Sequence, residues 1–159
     1  MPITGVSTDY STRTKDIHIF QGINASKLSD ITPGFGRISN YCSGVQKLIQ
    51  RYTISLLTEL GSQTYYPDFG TELISSLLNS SSSLNRLDVG LLFNEANVKV
   101  ITTFRDYQRT TTDIPLDEQL DTALLTNVSV YGGTVGLTIQ LYTAAGVPIE
   151  FLIPLPSIS

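Results

Sequence analysis

Few side chains in this 159-residue sequence are of the kinds that perform chemistry. Cys42 is the only cysteine and His18 the only histidine. Cys42 stands just before a helix start, where a thiol can ionise at lowered pKa and act as a nucleophile. Such a nucleophile needs a base beside it, and His18 lies in a different segment, so Cys42 reads as non-catalytic. One cysteine forms neither an intrachain disulfide nor a cysteine-based zinc set, which suits a reducing compartment. His18 has no second His or Cys near it and reads as an ordinary strand residue rather than a ligand or base.

Asp113, Glu118 and Asp121 gather in one loop-to-strand region. Paired carboxylates of this sort carry out glycoside hydrolysis, but a charge cluster on a loop is more simply a solvated surface, and that is the reading adopted. The acidic residues lack metal-loop spacing. No glycine-rich phosphate loop follows a strand, and no serine elbow is present. The sequence therefore predicts no enzyme, no cofactor and no metal.

Composition narrows the partners. Charged residues make up 15% of the chain, below the roughly 25% usual for globular domains, and Ser and Thr take their place. A neutral polar surface of this kind fits a component of an assembly. The net charge is −4 and the basic residues are scattered, which argues against nucleic acid, whose binders concentrate Lys and Arg on one face. There is no basic-plus-apolar leader and no apolar run of about 18 residues, so no membrane association is expected.

The elements that must position any site are set by periodicity. Residues 1–40 mix polar and turn residues with short apolar pieces. IHIF at 17–20 suggests a strand that Gly22 breaks, and Pro33-Gly34 with Gly36 is turn chemistry. This stretch reads as an arm, either wrapped on its own domain or docked on neighbouring subunits. From Ser43, a plausible N-cap, the residues Val45, Leu48, Ile49, Tyr52 and Leu56 form one helical stripe, with Lys47, Gln50, Arg51 and Glu59 largely off it. Ile54, Leu57 and Leu60 widen the apolar surface, and Gly61 suits the left-handed position that ends a helix. The polar elbow SQTYYPDFG comes next. Thr71 or Asp68 can cap a second helix with the stripe Leu73, Ile74, Leu77 and Leu78. Tyr65 and Tyr66 either plug the gap between the helices or face a partner chain, as aromatics do at interface hot spots. For Phe69 packing is favoured.

Downstream, Leu84, Leu87, Leu91, Val98, Ile101 and Phe104 keep helical spacing. They predict a helix from Leu84 or Asn85 to Asp106, weakened at Gly90 and by the β-branched run 98–103. Asp88 is expected toward solvent, and Arg105, Asp106 and Arg109 at the helix's solvated end. From Ala123 the period becomes two. Leu124, Thr126, Val128 and Val130 are expected on one face, with Leu125, Asn127, Ser129 and Tyr131 on the other. Gly132-Gly133 signals a hairpin. Val135, Leu137, Ile139 and Leu141 share a face in the next strand, and Val147, Ile149, Phe151 and Ile153 in the third, where Pro148 marks an edge. The fold class is α+β. It comprises an N-terminal arm (1–40) and one domain (41–159), in which a helical hairpin and a third helix pack on a three-stranded antiparallel meander. The edge at Val147, Ile149 and Phe151 can accept another strand.

One run points to a family. Gln46…Leu57-Thr58…Gly61…Tyr66-Pro67…Phe69-Gly70-Thr71…Leu73 resembles the baseplate wedge, or sheath-initiator, family of contractile phage tails, with relatives in R-type pyocins and type VI secretion systems. Some members carry the historical name lysozyme-like. The resemblance covers about a quarter of the chain. It implies a structural protein of the virion's tail baseplate, assembled in the host cytoplasm and present in multiple copies around the tail axis. It also implies partners among sheath, baseplate wedge and tail tube or hub proteins, and initiation of sheath assembly by strand-edge pairing. The implied contacts fall on the elbow residues Gly61, Ser62, Gln63, Tyr65, Tyr66, Pro67, Phe69 and Gly70. Many members carry an acidic residue and an arginine just after the loop glycine. Ser62 and Gln63 stand there instead and cannot form that ion pair, while Gly61, Pro67 and Gly70 keep their steric roles. The other function classes are a small tail-associated peptidoglycan hydrolase and a generic α+β adaptor.

Overall fold

The computed structural model describes residues 14–17, 20–21, 32–33, 41–80, 85–131, 134–146 and 148–155. Within these the fold is α+β. Two short antiparallel pairs come first: β1 (Asp16–Ile17) with β4 (Tyr41–Cys42), and β2 (Phe20–Gln21) with β3 (Thr32–Pro33). Then come α1 (Val45–Leu57), α2 (Leu73–Asn79), α3 (Arg86–Thr110) and a 3-10 turn (Leu116–Glu118). The chain ends in the meander β5 (Leu120–Tyr131), β6 (Thr134–Thr143) and β7 (Pro148–Leu155), in the spatial order β5-β6-β7.

One core joins the helices to one face of the sheet. Leu48, Ile49, Tyr52 and Leu56 of α1 and Leu73 and Leu77 of α2 pack there with Val89, Phe93, Ala96, Val100 and Phe104 of α3. The sheet contributes Val135, Leu137, Ile139 and Leu141 from β6 and Ile149, Phe151, Ile153 and Leu155 from β7. The Tyr52 ring meets Phe151 edge-on, with centroids 6.2 Å apart. The alternation of apolar side chains in β6 and β7 is what a sheet covered on one face requires, although in the central strand β6 residues 135–139 are all buried.

Several local expectations are corrected. The N-cap of α1 is Gly44, at φ 65°, and no side chain caps it, so Ser43 does not serve. The helix ends at Leu57 with Thr58 as C-cap, before Gly61. Gly61, at φ 78°, instead shapes the turn in which Ser62 N donates to Glu59 O. Glu72 holds the N-cap position of α2 without a side-chain bond, while the Thr71 hydroxyl accepts from Leu73 N at 3.3 Å; Asp68 does not cap it, and Leu78 is exposed. Lys47 and Gln50, off the apolar stripe of α1, are nevertheless buried.

The largest correction concerns α3. The helix runs unbroken past Gly90 and extends to Thr110. A capping box starts it: Asn85 Oδ1 accepts from Asp88 N, and Asp88 Oδ2 accepts from Asn85 N. Helical spacing alone puts Leu87, Leu91 and Val98 inside, yet all three are exposed. The buried stripe is Val89, Phe93, Ala96, Val100 and Phe104, on roughly the opposite side of the helix.

In β5 the simple alternation also fails. Register shifts between Leu120 and Thr122 and between Leu125 and Asn127 let Leu120, Ala123 and Val128 all turn inward, leaving Leu124 exposed. Each bulge adds a residue and flips the phase of the strand beyond it. Leu84, the Gly132-Gly133 turn, Gly34, Gly36 and His18 lie outside the described residues.

Candidate functional site

The elbow between α1 and α2 is built from its base outward. Thr58 N donates to Ile54 O at 2.9 Å and ends α1. Thr71 N then donates to Thr58 O at 2.8 Å, and Leu60 N to Thr71 O at 3.0 Å, pairing Glu59 with Thr71 as an isolated parallel bridge. The Thr71 hydroxyl donates to Leu56 O at 2.6 Å. Gly70 has φ 101°, and a Cβ there would collide with the Thr58 carbonyl oxygen. Only glycine allows the returning strand to lie this close to the helix end.

From this closed base the loop projects outward. Residues 61–68 are exposed. Tyr65 is 91% exposed and Tyr66 70% exposed, so neither plugs the gap between the helices. Inside the loop Tyr66 N donates to Gln63 O at 3.3 Å and Phe69 N to Tyr66 O at 3.0 Å. Phe69 is half-buried, as packing requires. It lines a cleft of about 370 Å³ with Ile54, Ser55, Phe104 and Tyr107, and Arg51 lies at the same cleft.

A polar clamp holds the arm against α1. Lys47 Nζ donates to Thr14 O at 3.1 Å, Thr14 Oγ1 at 2.7 Å and Glu118 Oε2 at 3.0 Å. The second oxygen of Glu118 accepts from Gly44 N at 2.8 Å. Gln50 Nε2 donates to Ile17 O at 2.8 Å, and Arg51 Nε to Asp16 Oδ2 at 2.8 Å. Lys47, Gln50 and Arg51 share one helical side, the spacing that lets three side chains reach one strand. Residues 14–17 of the arm are thus docked on the domain. The Arg51 guanidinium also lies over the Tyr107 ring, 5.7 Å from its centroid, and its hydrogen bond holds the Tyr107 hydroxyl below a tyrosine's usual pKa.

The candidate chemical groups do not converge. Glu118 is buried with Lys47, which corrects its reading as a solvated carboxylate, whereas Asp113 and Asp121 are exposed. Cys42 is buried, and burial first, then the neighbouring Asp16 charge, push its thiol pKa up. That is the opposite of what an activated nucleophile needs. Among the described residues, no three His, Cys, Asp or Glu side chains are grouped to hold a metal, and no helix is long and apolar enough to cross a membrane.

At the sheet, β7 is an edge strand, as Pro148 suggests. Ile149 and Phe151 point into the core, so the edge does not present their side chains to a partner, and Val147 lies outside the described residues. Sequence reasoning missed the amides of α3. Asn97 accepts from the Tyr52 hydroxyl at 2.7 Å and donates to Ala123 O at 2.9 Å. Gln108 both donates to Leu120 O at 3.1 Å and accepts from Leu120 N at 2.8 Å. Nothing local marks Asn97, which stands among Asn94, Glu95 and Lys99 in the sequence. No family model, no curated protein and no solved structure matches the chain.

Proposed function

We propose that the chain is a non-catalytic assembly subunit, and specifically a contractile-tail baseplate component that joins the wedge or tube to the first sheath ring and seeds sheath assembly. The observation that carries this reading is the elbow. Tyr65 and Tyr66 are displayed at 91% and 70% exposure on a loop whose base is closed by backbone bonds to the end of α1. An isolated domain gains nothing by holding two tyrosines in water. A preordered aromatic pair gives an interface large contact area at low entropic cost. The resemblance of residues 46–73 to the sheath-initiator family supplies the kind of assembly, and the edges of the meander supply a way for neighbouring strands to join it.

The test is complementation of particles lacking the protein with a Tyr65→Ser/Tyr66→Ser double variant. Both side chains lie outside the core, so the variant should melt with the wild type, within about 0.5 kcal/mol. It should fail to enter particles. Incorporation at the wild-type level would overturn the role of the elbow. Clearing of a peptidoglycan suspension by the purified protein, lost on changing one carboxylate, would overturn the non-catalytic reading.

A further inference from the structure

The contacts that hold residues 14–17 differ in kind from those of the core. Ile17, the only apolar residue of this segment, is 70% exposed. Thr14 and Lys15 are exposed as well. The segment therefore buries no apolar side chain against the domain, although apolar burial is the dominant favourable contribution to folding.

What holds it is polar. Lys47 Nζ donates to the Thr14 carbonyl and hydroxyl oxygens, Gln50 Nε2 to the Ile17 carbonyl and Arg51 Nε to the Asp16 carboxylate. The Arg51 and Asp16 side chains are 38% and 30% exposed, so water screens their ion pair and it holds weakly. β1 adds a two-residue pairing with β4.

Departure of the segment strands no charge. Lys47 keeps Glu118 Oε2 at 3.0 Å, and Arg51 keeps the Tyr107 ring. Breaking a buried ion pair is costly because it leaves one charge without compensation. Here the buried pair stays whole, and Asp16 passes to water. The apolar stripe of α1, Leu48, Ile49, Tyr52 and Leu56, takes no part in these bonds and stays in the core. A segment held by so few buried contacts opens locally, well below the free energy of global unfolding.

One buried side chain depends on the segment. Asp16 stands opposite Cys42 in the β1–β4 register, and opposed residues of an antiparallel pair turn their side chains to the same face. Cys42 is 2% exposed. The charges that reach its thiol are those of Asp16, Lys47 and Arg51, all members of the polar clamp.

We infer that residues 14–17 are a releasable strap. The strap leaves Lys47, Gln50 and Arg51 as one unit, with the helices and the sheet intact, and its departure uncovers Cys42. With the strap docked, the arm is held on its own domain. With the strap released, the arm can reach a neighbouring subunit. Release requires neither a tail nor a partner, so it stands or falls apart from the assembly reading.

Cys42 is the only cysteine, so alkylation of the native full chain by iodoacetamide, a neutral reagent, reports release directly. Cys42 should react faster than the chain unfolds, with a urea dependence much shallower than that of global unfolding. Asp16→Asn should speed the reaction about threefold. Thr14→Ala, which changes no charge near the thiol, should speed it about fivefold. Both side chains lie outside the core, and a wild-type circular dichroism spectrum checks that the variants fold. Ile139→Val, a core change in β6 that weakens the whole fold, should leave the rate as it is. The strap is overturned if alkylation has the urea dependence of global unfolding, if Ile139→Val accelerates it, or if neither strap variant changes it.

Discussion

Lys47 Nζ lies 3.0 Å from Glu118 Oε2, and the two side chains are 3% and 5% exposed. The pair links the start of α1 to the turn that leads into the sheet, and through Thr14 it ties the arm to both. All three Lys47 donors and both Glu118 oxygens are used. A buried pair satisfied in this way costs little to keep, but removing one partner leaves a charge without compensation.

Lys47→Met should therefore lower stability by about 3–5 kcal/mol. Adding Glu118→Gln to it should recover part of that loss, because the stranded carboxylate is then neutral. Urea unfolding of the two single variants and the double variant measures the coupling. Additive losses would mean that the pair acts as two independent contacts.

Gly70→Val should be far more damaging than Ser62→Ala. Valine at 70 meets both a left-handed backbone and the Thr58 carbonyl, whereas Ser62 is exposed. Gly61→Ala falls between them, since it carries the backbone strain alone, about 1–2 kcal/mol. Thermal melts rank the three, and equal midpoints for Gly70→Val and Ser62→Ala would contradict the account of the elbow.

Gly90→Ala should stabilise the isolated chain by about 0.5–1 kcal/mol, the helix-propensity gain. Its Cβ has room beside Leu125. Chemical denaturation that shows a loss would mean that α3 and β5 approach more closely than the structure indicates.

The legibility of the fold varies with what each residue faces. β6 and β7 can be read from alternation because every second side chain of each is apolar and enters the core, so Leu137, Ile139 and Ile149 fall where a period of two puts them. β5 cannot, because its bulges reset the phase after Leu120 and Leu125. In α3 the sequence carries two apolar stripes, and periodicity cannot tell which one meets the core. Of the stripe read from the sequence, Leu87, Leu91 and Val98 are left exposed, while Phe104 is buried and Ile101 packs against the core. Lys47 and Gln50 read as surface residues because a single helix does not show the strand and turn that cover it. The elbow is legible through Gly70 and Pro67, whose backbone demands are local. The bonds from Asn97 and Gln108 to the β5 backbone join distant segments and leave no local trace.

Alkaline pH should destabilise the protein. Burial raises the Tyr52 hydroxyl pKa far above that of a free tyrosine, and Cys42 is shifted the same way by burial and by Asp16. For both groups the unfolded chain ionises first. Their contribution is complete below the unfolded values and declines as pH rises past about 8.5 for the thiol and about 10 for the phenol. Tyr107 shifts downward and opposes this, but it is exposed, so solvent screens its effect. Unfolding midpoints should be flat from pH 7 to 8 and fall above that. Tyr52→Phe should flatten the fall above pH 10, and an unchanged slope would contradict the assignment.

The role in an assembly is tested most directly by negative-stain imaging of particles made with and without this chain. The account predicts tubes with no polymerised sheath when the chain is missing, restored by the wild type but not by the Tyr65→Ser/Tyr66→Ser variant. Normal sheaths on particles that lack the chain would contradict it.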